Sequence, residues 1–436
     1  MLRAIAGTFH GTAHNGRGWR PVSCLQGGRR LILCALLLIG LAPGADLQLP
    51  PKFRGVVDLV GNAPPEFGSS ALLDLLDSGR ISDGPTRGAL IERAFQLAGQ
   101  AHERWHLLPL AVEYNRAASA LRLDQLSLES RAVKLMLGLD KRRARQLFLE
   151  IPKPAPPPLA CSDSGEADLS DYYTVLGLVV DQTFTPDERR NEDHVHFLAD
   201  YLGTIVSPVQ FLPALQMVRT LSVTNPQRHL LLEQLGSAMN GISADDRSFA
   251  AVSSGLGRNL PPELSAAFQH YLASHASAEV CGAPRPAAGP SEEERRFERE
   301  ALQVVYRGDL RTTAAEQGTA EFRDRLEDFL AKVNDWRQGP DESDVAFYRQ
   351  KMSVYGNLID ATLPPLRARV IDDMLRFALS SPLERDSPAE WFQALKSAKD
   401  RVRHGLTPGP DVIDGFVRTG DPVLLLDAAL ERALAR

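Results

Sequence analysis

The chain has 436 residues with 49 basic and 55 acidic side chains, which gives a formal net charge of −6 at neutral pH. An acidic protein has no general attraction to phosphate backbones or anionic lipid, so nucleic-acid binding and adhesion to such membranes are disfavoured. The hydrophobic share of 44% is ordinary for a folded protein and excludes disorder of the whole chain.

The chain begins with the features of an export signal. Arg29 and Arg30 precede an apolar run at 31–41, and small residues follow as far as Ala45. This order is typical of a signal peptide, and the run is too short for the roughly 20 residues that cross a bilayer. We therefore predict that residues 1–45 are a cleaved leader, and that the mature protein is periplasmic or secreted without a stable membrane span.

Removal of this leader changes both charge and cysteine content. Residues 1–45 contain five Arg and no acidic residue, so 44 basic and 55 acidic side chains remain and the net charge becomes −11. Cys161 and Cys281 are then the remaining cysteines, in a compartment where disulfides persist. A bond between them would stabilise the fold by roughly 4 to 5 kcal/mol in the chain-entropy model. The alternative is two unpaired thiols.

Two proline-rich stretches divide the mature chain, at residues 152–165 and 282–290. Neither stretch can be the interior of a helix, because proline removes a backbone donor and clashes with the preceding turn. We predict three helical segments: an N-terminal segment at 46–151, a middle segment at 166–281 and a C-terminal segment at 291–436.

The N-terminal segment contains the sequence His-Glu-Arg-Trp-His at 102–106, which matches the zinc-binding motif H-E-x-x-H. We predict a helix that runs from about Gly88 through this motif. In a helix, His102 and His106 would share one face and could bind one zinc ion, with Glu103 as the general base. The alternative is that both histidines are surface residues of an amphipathic helix.

A third zinc ligand is harder to assign, and several features oppose the site. Glu129, 23 residues beyond the motif, is the candidate, with Glu113 and Asp124 as alternatives. Arg104 places a charge where zinc-peptidase helices keep uncharged residues, and Pro109 would end the helix early. A chain of this composition also contains the pentapeptide by chance about once in eighty cases.

Helix-start signals recur in the middle and C-terminal segments. A capping side chain directly precedes a proline at Thr185, Ser207, Asn225, Ser387 and Asp421, which is typical of the first turn of a helix. Starts in the middle segment lie roughly 20 residues apart, so a helix pair takes about 40, near the period of helical-hairpin repeats. The sequence therefore predicts an all-α fold: an irregular, α-solenoid-like stack of antiparallel helical hairpins.

The C-terminal segment continues this pattern. Six helices are predicted there, at 292–307, 321–336, 343–361, 366–379, 388–402 and 422–435. Alternating apolar and polar residues over four or more positions are missing from the whole chain, so no strand is predicted.

Two pairs of neighbouring aromatic residues and one pair of histidines are further candidates for a binding site. Tyr172-Tyr173 and Phe347-Tyr348 could line a binding groove or, at helical spacing, pack in the core. The pair at 194 and 196 is not predicted to bind metal, because residues two apart on a helix point to nearly opposite sides.

No motif identifies a family or an activity. A Gly-rich phosphate loop, a G-x-S-x-G elbow and a C-x-x-C pair are missing. We therefore favour a binding or scaffold module of the cell envelope, which holds a protein or another envelope macromolecule between stacked helices and needs no cofactor. The alternatives are a zinc-dependent hydrolase, such as a peptidase, that uses residues 102–106, and a helical enzyme with a carboxylate site.

Overall fold

The computed structural model describes residues 49–109, 121–159, 165–242, 260–275, 292–307, 310–340, 342–404, 415 and 417–435. All of them belong to one of two units of the chain, residues 49–436. The predicted leader, Cys161, Cys281 and the stretch at 282–290 lie outside the described residues. The signal peptide and the disulfide therefore stay predictions.

The described chain is predominantly helical, as predicted. The first eleven helices are α1 Pro51–Leu59, α2 Pro65–Asp77, α3 Gly84–Ala98, α4 Gln125–Leu137, α5 Lys141–Glu150, α6 Ser170–Thr183, α7 Pro186–Arg190, α8 Asp193–Leu202, α9 Phe211–Thr220, α10 Asn225–Asn240 and α11 Ser265–His275. Eight more follow: α12 Glu292–Val305, α13 Ala314–Gln317, α14 Ala320–Asp335, α15 Asp344–Ala361, α16 Pro364–Leu379, α17 Leu383–Asp386, α18 Pro388–His404 and α19 Pro422–Leu434. No helix in these ranges combines the length and apolar character needed to cross a bilayer.

Four short strands correct the prediction that the chain has none. Strand β1, His106–Pro109, pairs antiparallel with β2, Gly165–Asp168; β3, Tyr306–Arg307, pairs antiparallel with β4, Leu310–Arg311. The first pairing joins residues as distant in sequence as His106 and Asp168. Such strands depend on their partner and are too short to show a local alternating pattern, so the sequence contains no signal for them.

The predicted capping signals mark true helix starts. Thr185 caps α7 with a complete capping box, and the side chain of Asp421 accepts a backbone N–H of α19. At α10 the prediction is one residue late: Asn225 is the first helical residue, and Thr224 caps the helix together with Gln227. A side chain that satisfies the open N–H groups of a first turn acts locally, so sequence alone locates it well.

Helices that are close in sequence mostly pack against each other. In the first part of the chain, α3 lies against α2 and α4, and α6 lies against α4, α5 and α9. In the last part, α15 contacts α12, α16 and α18, while α14 contacts α12 and α16. The apolar faces of these helices form the buried core.

The N-terminal and C-terminal parts of this unit are also in direct contact. Helix α19 packs against α1 and α2, and Trp391 of α18 lies edge-to-face with Phe67 of α2 at 6.2 Å between ring centres. The guanidinium of Arg80 donates to the carbonyls of Ala433 at 2.8 Å and Leu434 at 2.7 Å. In a linear array of repeats each unit contacts only its neighbours, so these contacts are not those of a linear array.

We expect Arg80→Ala to lower the free energy of unfolding by about 1 to 2 kcal/mol, because the last carbonyls of α19 then lose their hydrogen bonds from a charged side chain. Urea unfolding followed by circular dichroism measures this loss. Arg80→Lys is the matched control: it keeps the charge without the forked donors and should lose less. An alanine variant as stable as the wild type would contradict this role for Arg80.

Candidate functional site

The predicted helix from Gly88 through His106 is wrong. Helix α3 ends at Ala98, Gly99 occupies its C-cap, and the residues from 101 to 105 form bends that lead into β1. The pairing of β1 with β2 takes His106 into a strand. The two histidines therefore do not share a helix face: His102 is exposed, whereas His106 is buried.

The motif segment has a structural role at the start of α4. The backbone carbonyl of Glu103 accepts the N–H of Gln125 at 2.8 Å, and that of Arg104 accepts the N–H of Leu126 at 3.1 Å. Asp124 is the N-cap residue, and its carboxylate accepts a further N–H of the first turn at 2.9 Å. The open donors of α4 are thus satisfied by the loop that sequence reasoning assigned to zinc binding.

Asp124→Ala should therefore destabilise the protein by about 1 kcal/mol through loss of the N-cap, while Asp124→Asn should change stability by less than about half of that. Asparagine keeps an acceptor oxygen for the first-turn N–H. Thermal unfolding of the two variants side by side checks the difference. Equal losses in both variants would show that the negative charge, and not the cap, is what matters.

Buried carboxyl groups surround the motif. Burial raises the pKa values of Glu66, Glu103, Asp124 and Glu129, that of Glu129 to about 7. Burial also lowers the pKa of His106, whose Nδ1 lies 3.7 Å from Oδ2 of Asp124. Removing a carboxylate from water disfavours its charged form, so this cluster is rich in protonatable acids.

The predicted zinc ligands lie on three different segments: His102 in a loop, His106 in β1 and Glu129 in α4. Within the described ranges, no group of three or more His, Cys, Asp or Glu side chains is placed to hold a metal ion. Glu113 lies outside those ranges. Zinc binding by His102, His106 and Glu129, with Glu103 as base, stays a prediction, and the loss of the helix removes its main structural argument.

The aromatic pairs and the histidine pair occupy different environments. Tyr172 and Tyr173 are core residues, both buried, with their rings edge-to-face. His194 is buried while His196 is exposed, as expected of residues two apart on a helix. Phe347 and Tyr348, by contrast, line a cavity.

This cavity, of about 440 Å³, lies between the end of α14, the start of α15 and the end of α16, and we call it the α15–α16 cavity. Its aromatic walls are Trp336, Phe347, Tyr348 and Phe377. The ring of Phe377 stacks on that of Tyr348 at 5.5 Å and meets that of Phe347 edge-to-face at 6.0 Å. None of the carboxyl groups around the HERWH motif lines it.

One lysine in the lining of this cavity is buried. Lys351 is 3% exposed, and its Nζ donates to the carbonyls of Trp336 at 2.9 Å and Asn334 at 3.3 Å. The ammonium also lies 4.7 Å from the ring centre of Phe377, within range of a cation–π interaction. Burial, followed by the neighbouring Arg337, lowers the pKa of Lys351 to about 8.

Two further donors in the cavity wall have no acceptor. Nε1 of Trp336 and the hydroxyl of Tyr348 are buried and make no hydrogen bond within the described residues. Of the two acids in the lining, Asp373 accepts from Asn334 at 2.8 Å and from Arg376 at 2.7 Å, and Asp344 is exposed. Among the described residues, the buried lining atoms without a hydrogen bond are therefore these two donors.

Comparison with protein-family models, with curated proteins and with solved structures finds no match to this chain. The α15–α16 cavity and the buried carboxyl cluster therefore have to be judged by their own chemistry. Of the two, the cavity has the size and the mixture of apolar walls and few polar groups that are typical of ligand sites.

Proposed function

We propose that this chain is an exported binding protein of the cell envelope, and that the α15–α16 cavity holds part of a macromolecular partner. The observation that carries this proposal is the cavity itself: aromatic walls around a buried cation and two buried donors that have no acceptor in the described part of the chain. Unpaired buried donors cost free energy, so natural proteins rarely keep them without a reason. A ligand that supplies acceptors is such a reason.

The remaining helices would act as the scaffold for this cavity. Packing between helices close in sequence supports the predicted stack of antiparallel hairpins, and the contact of α19 with α1 and α2 would hold it at both ends. Export through the predicted leader would bring this scaffold to the periplasm or the medium. Among the described residues, the cavity walls come from α15, α16 and the segment after α14, so one small part of the chain would carry recognition.

A zinc-dependent hydrolase is less well supported. Its motif lies in a loop and a strand, and the backbone of that loop is used to cap α4. The carboxyl cluster beside the motif consists of side chains that do not line the α15–α16 cavity. Binding therefore explains the observed geometry better than hydrolysis does.

A blocking variant tests the proposed function. Ser380 is exposed and lines the cavity, so Ser380→Trp should fill its entrance; Ser397→Trp, at an exposed position of α18, is the matched control. Peptides selected from a random library on the wild-type protein should bind the control variant and lose at least tenfold in affinity for Ser380→Trp. Selected peptides that bind both variants equally would place recognition elsewhere and refute the proposal.

A further inference from the structure

We propose that the α15–α16 cavity recognises an apolar or aromatic residue that carries a free carboxylate, as found at the C-terminus of a peptide chain. This inference rests on the proposed binding function and specifies the ligand. Three features of the cavity lead to it: the sign of its charge, its unpaired donors and its aromatic walls.

The charge of the lining favours an anion. Arg337, Lys351 and Arg376 line the cavity with two acids, Asp344 and Asp373. Asp373 is neutralised by Arg376 and by a second arginine on its own helix, Arg369. The whole chain has a net charge of −6, so a cavity with a cationic excess is a local exception. A buried Lys351 would attract a carboxylate much more strongly than an exposed lysine would.

The unpaired donors favour oxygen atoms in the ligand. Nε1–H of Trp336 and the hydroxyl of Tyr348 lack acceptors within the described residues. The ammonium of Lys351 has three hydrogens, and two of them are used by backbone carbonyls. A carboxylate accepts at two oxygens with about four lone-pair positions, so it would supply acceptors of the kind that this lining lacks.

The aromatic walls select the remainder of the ligand and exclude a cation. Phe347, Tyr348 and Phe377 provide ring faces for an apolar side chain, and about 440 Å³ is enough for one residue with its neighbours. Aromatic cages often bind cations, but Lys351 already lies over the rings of Phe347 and Phe377. A cationic ligand would be repelled by that ammonium.

The test compares a carboxylate with its neutral isostere. Calorimetry with 3-phenylpropionate and 3-phenylpropionamide, and with a peptide ending in phenylalanine as free acid and as amide, should show at least tenfold tighter binding of the acids. Tighter binding of the peptide acid identifies a chain terminus, and equal binding of both acids identifies a small carboxylate; either result supports the shared chemistry.

Variants separate the contributions of the lining. Lys351→Met should reduce the preference for the acids to less than twofold, whereas Lys332→Met, an equal charge change at an exposed position of α14, should leave it intact. Trp336→Phe keeps an aromatic ring but removes the unpaired N–H together with part of the ring, so it should weaken the acids severalfold and the amides less. It provides the test if Lys351→Met does not fold.

The possible failures are distinguishable. Acids and amides that bind the wild type equally would overturn the carboxylate inference and leave the cavity as a binding site. Acid binding that is unchanged in both Lys351→Met and Trp336→Phe would overturn it too. Library peptides that ignore the cavity-blocking variant would refute the proposed function and this inference together.

Discussion

Trp391→Ala should lower the free energy of unfolding by about 4 kcal/mol, as expected for truncation of a large, fully buried aromatic residue. Trp391 is 0% exposed, and its ring contacts Phe67 of α2 and Phe392 of α18. Its Nε1 donates to the carbonyl of Ala378 at 3.0 Å, so truncation also removes this hydrogen bond between α18 and α16. Urea unfolding followed by circular dichroism measures the loss.

Trp391→Phe separates the contribution of the buried ring from that of the hydrogen bond. Phenylalanine retains most of the ring but cannot donate to Ala378, so we expect a loss of about 1 to 2 kcal/mol from the hydrogen bond and the smaller volume. If the alanine variant loses no more stability than the phenylalanine variant, the surrounding helices must fill the space that the ring leaves. Trp391 would then not be the side chain that joins α2, α16 and α18.

Glu129→Gln should stabilise the protein by about 3 to 4 kcal/mol at pH 8 and by less than about 1 kcal/mol at pH 4.5. Glu129 is 3% exposed; one carboxylate oxygen accepts from Gln125 at 2.9 Å, and the other makes no hydrogen bond within the described residues. Glutamine keeps the acceptor for Gln125 and is always neutral. The expected gain equals the free energy needed to ionise the buried acid, at about 1.4 kcal/mol per pKa unit.

The sign of this effect follows from the raised pKa of Glu129. Burial raises it from 4.5 to about 7. Below pH 4.5 the group is protonated in both states and contributes no difference. Between pH 4.5 and 7 the unfolded chain releases this proton and the folded chain retains it, so the wild type loses stability as the pH rises. Above pH 7 the difference between variant and wild type is constant.

Glu188→Gln is a control of opposite sign. A hydrogen bond from the backbone of Thr185 at 2.7 Å, followed by the ion pair with Arg145, lowers the pKa of Glu188 to about 2. Its stabilisation is present above pH 4.5 and is lost as the pH falls towards 2, so this variant should be destabilised at neutral pH. Parallel pH profiles of the two variants would contradict both assignments.

The sequence predicts the helices well because their signals are local. Capping side chains before prolines locate α7, α18 and α19, and the predicted bounds of α15 differ from the observed ones by a single residue. The same local reasoning extends α3 too far, since Gly99 ends it at a point where apolar residues continue at helical spacing. Strand β1 depends on a partner far along the chain, which no local pattern reveals.

The candidate site was only partly predictable, because it depends on side chains that meet in space. Phe347 and Tyr348 were recognised as possible groove residues, but Lys351 was not. The available signal was the position of this lysine in the sequence. It lies three residues after Tyr348 and one before Met352, on a helix face that is otherwise apolar. Trp336 and Phe377 complete the walls of the α15–α16 cavity because α14, α15 and α16 pack together, and no local pattern shows this packing.

The contact between the two ends of the described unit has a consequence for the order of folding. Arg80 and Ala433 are 353 positions apart, so a chain that is synthesised N-terminus first exposes the faces of α1 and α2 until α19 follows. Contacts of such long sequence separation close late and slow folding. We expect the growing chain to remain open to proteases and chaperones during synthesis, and to become resistant only after α19 has been made.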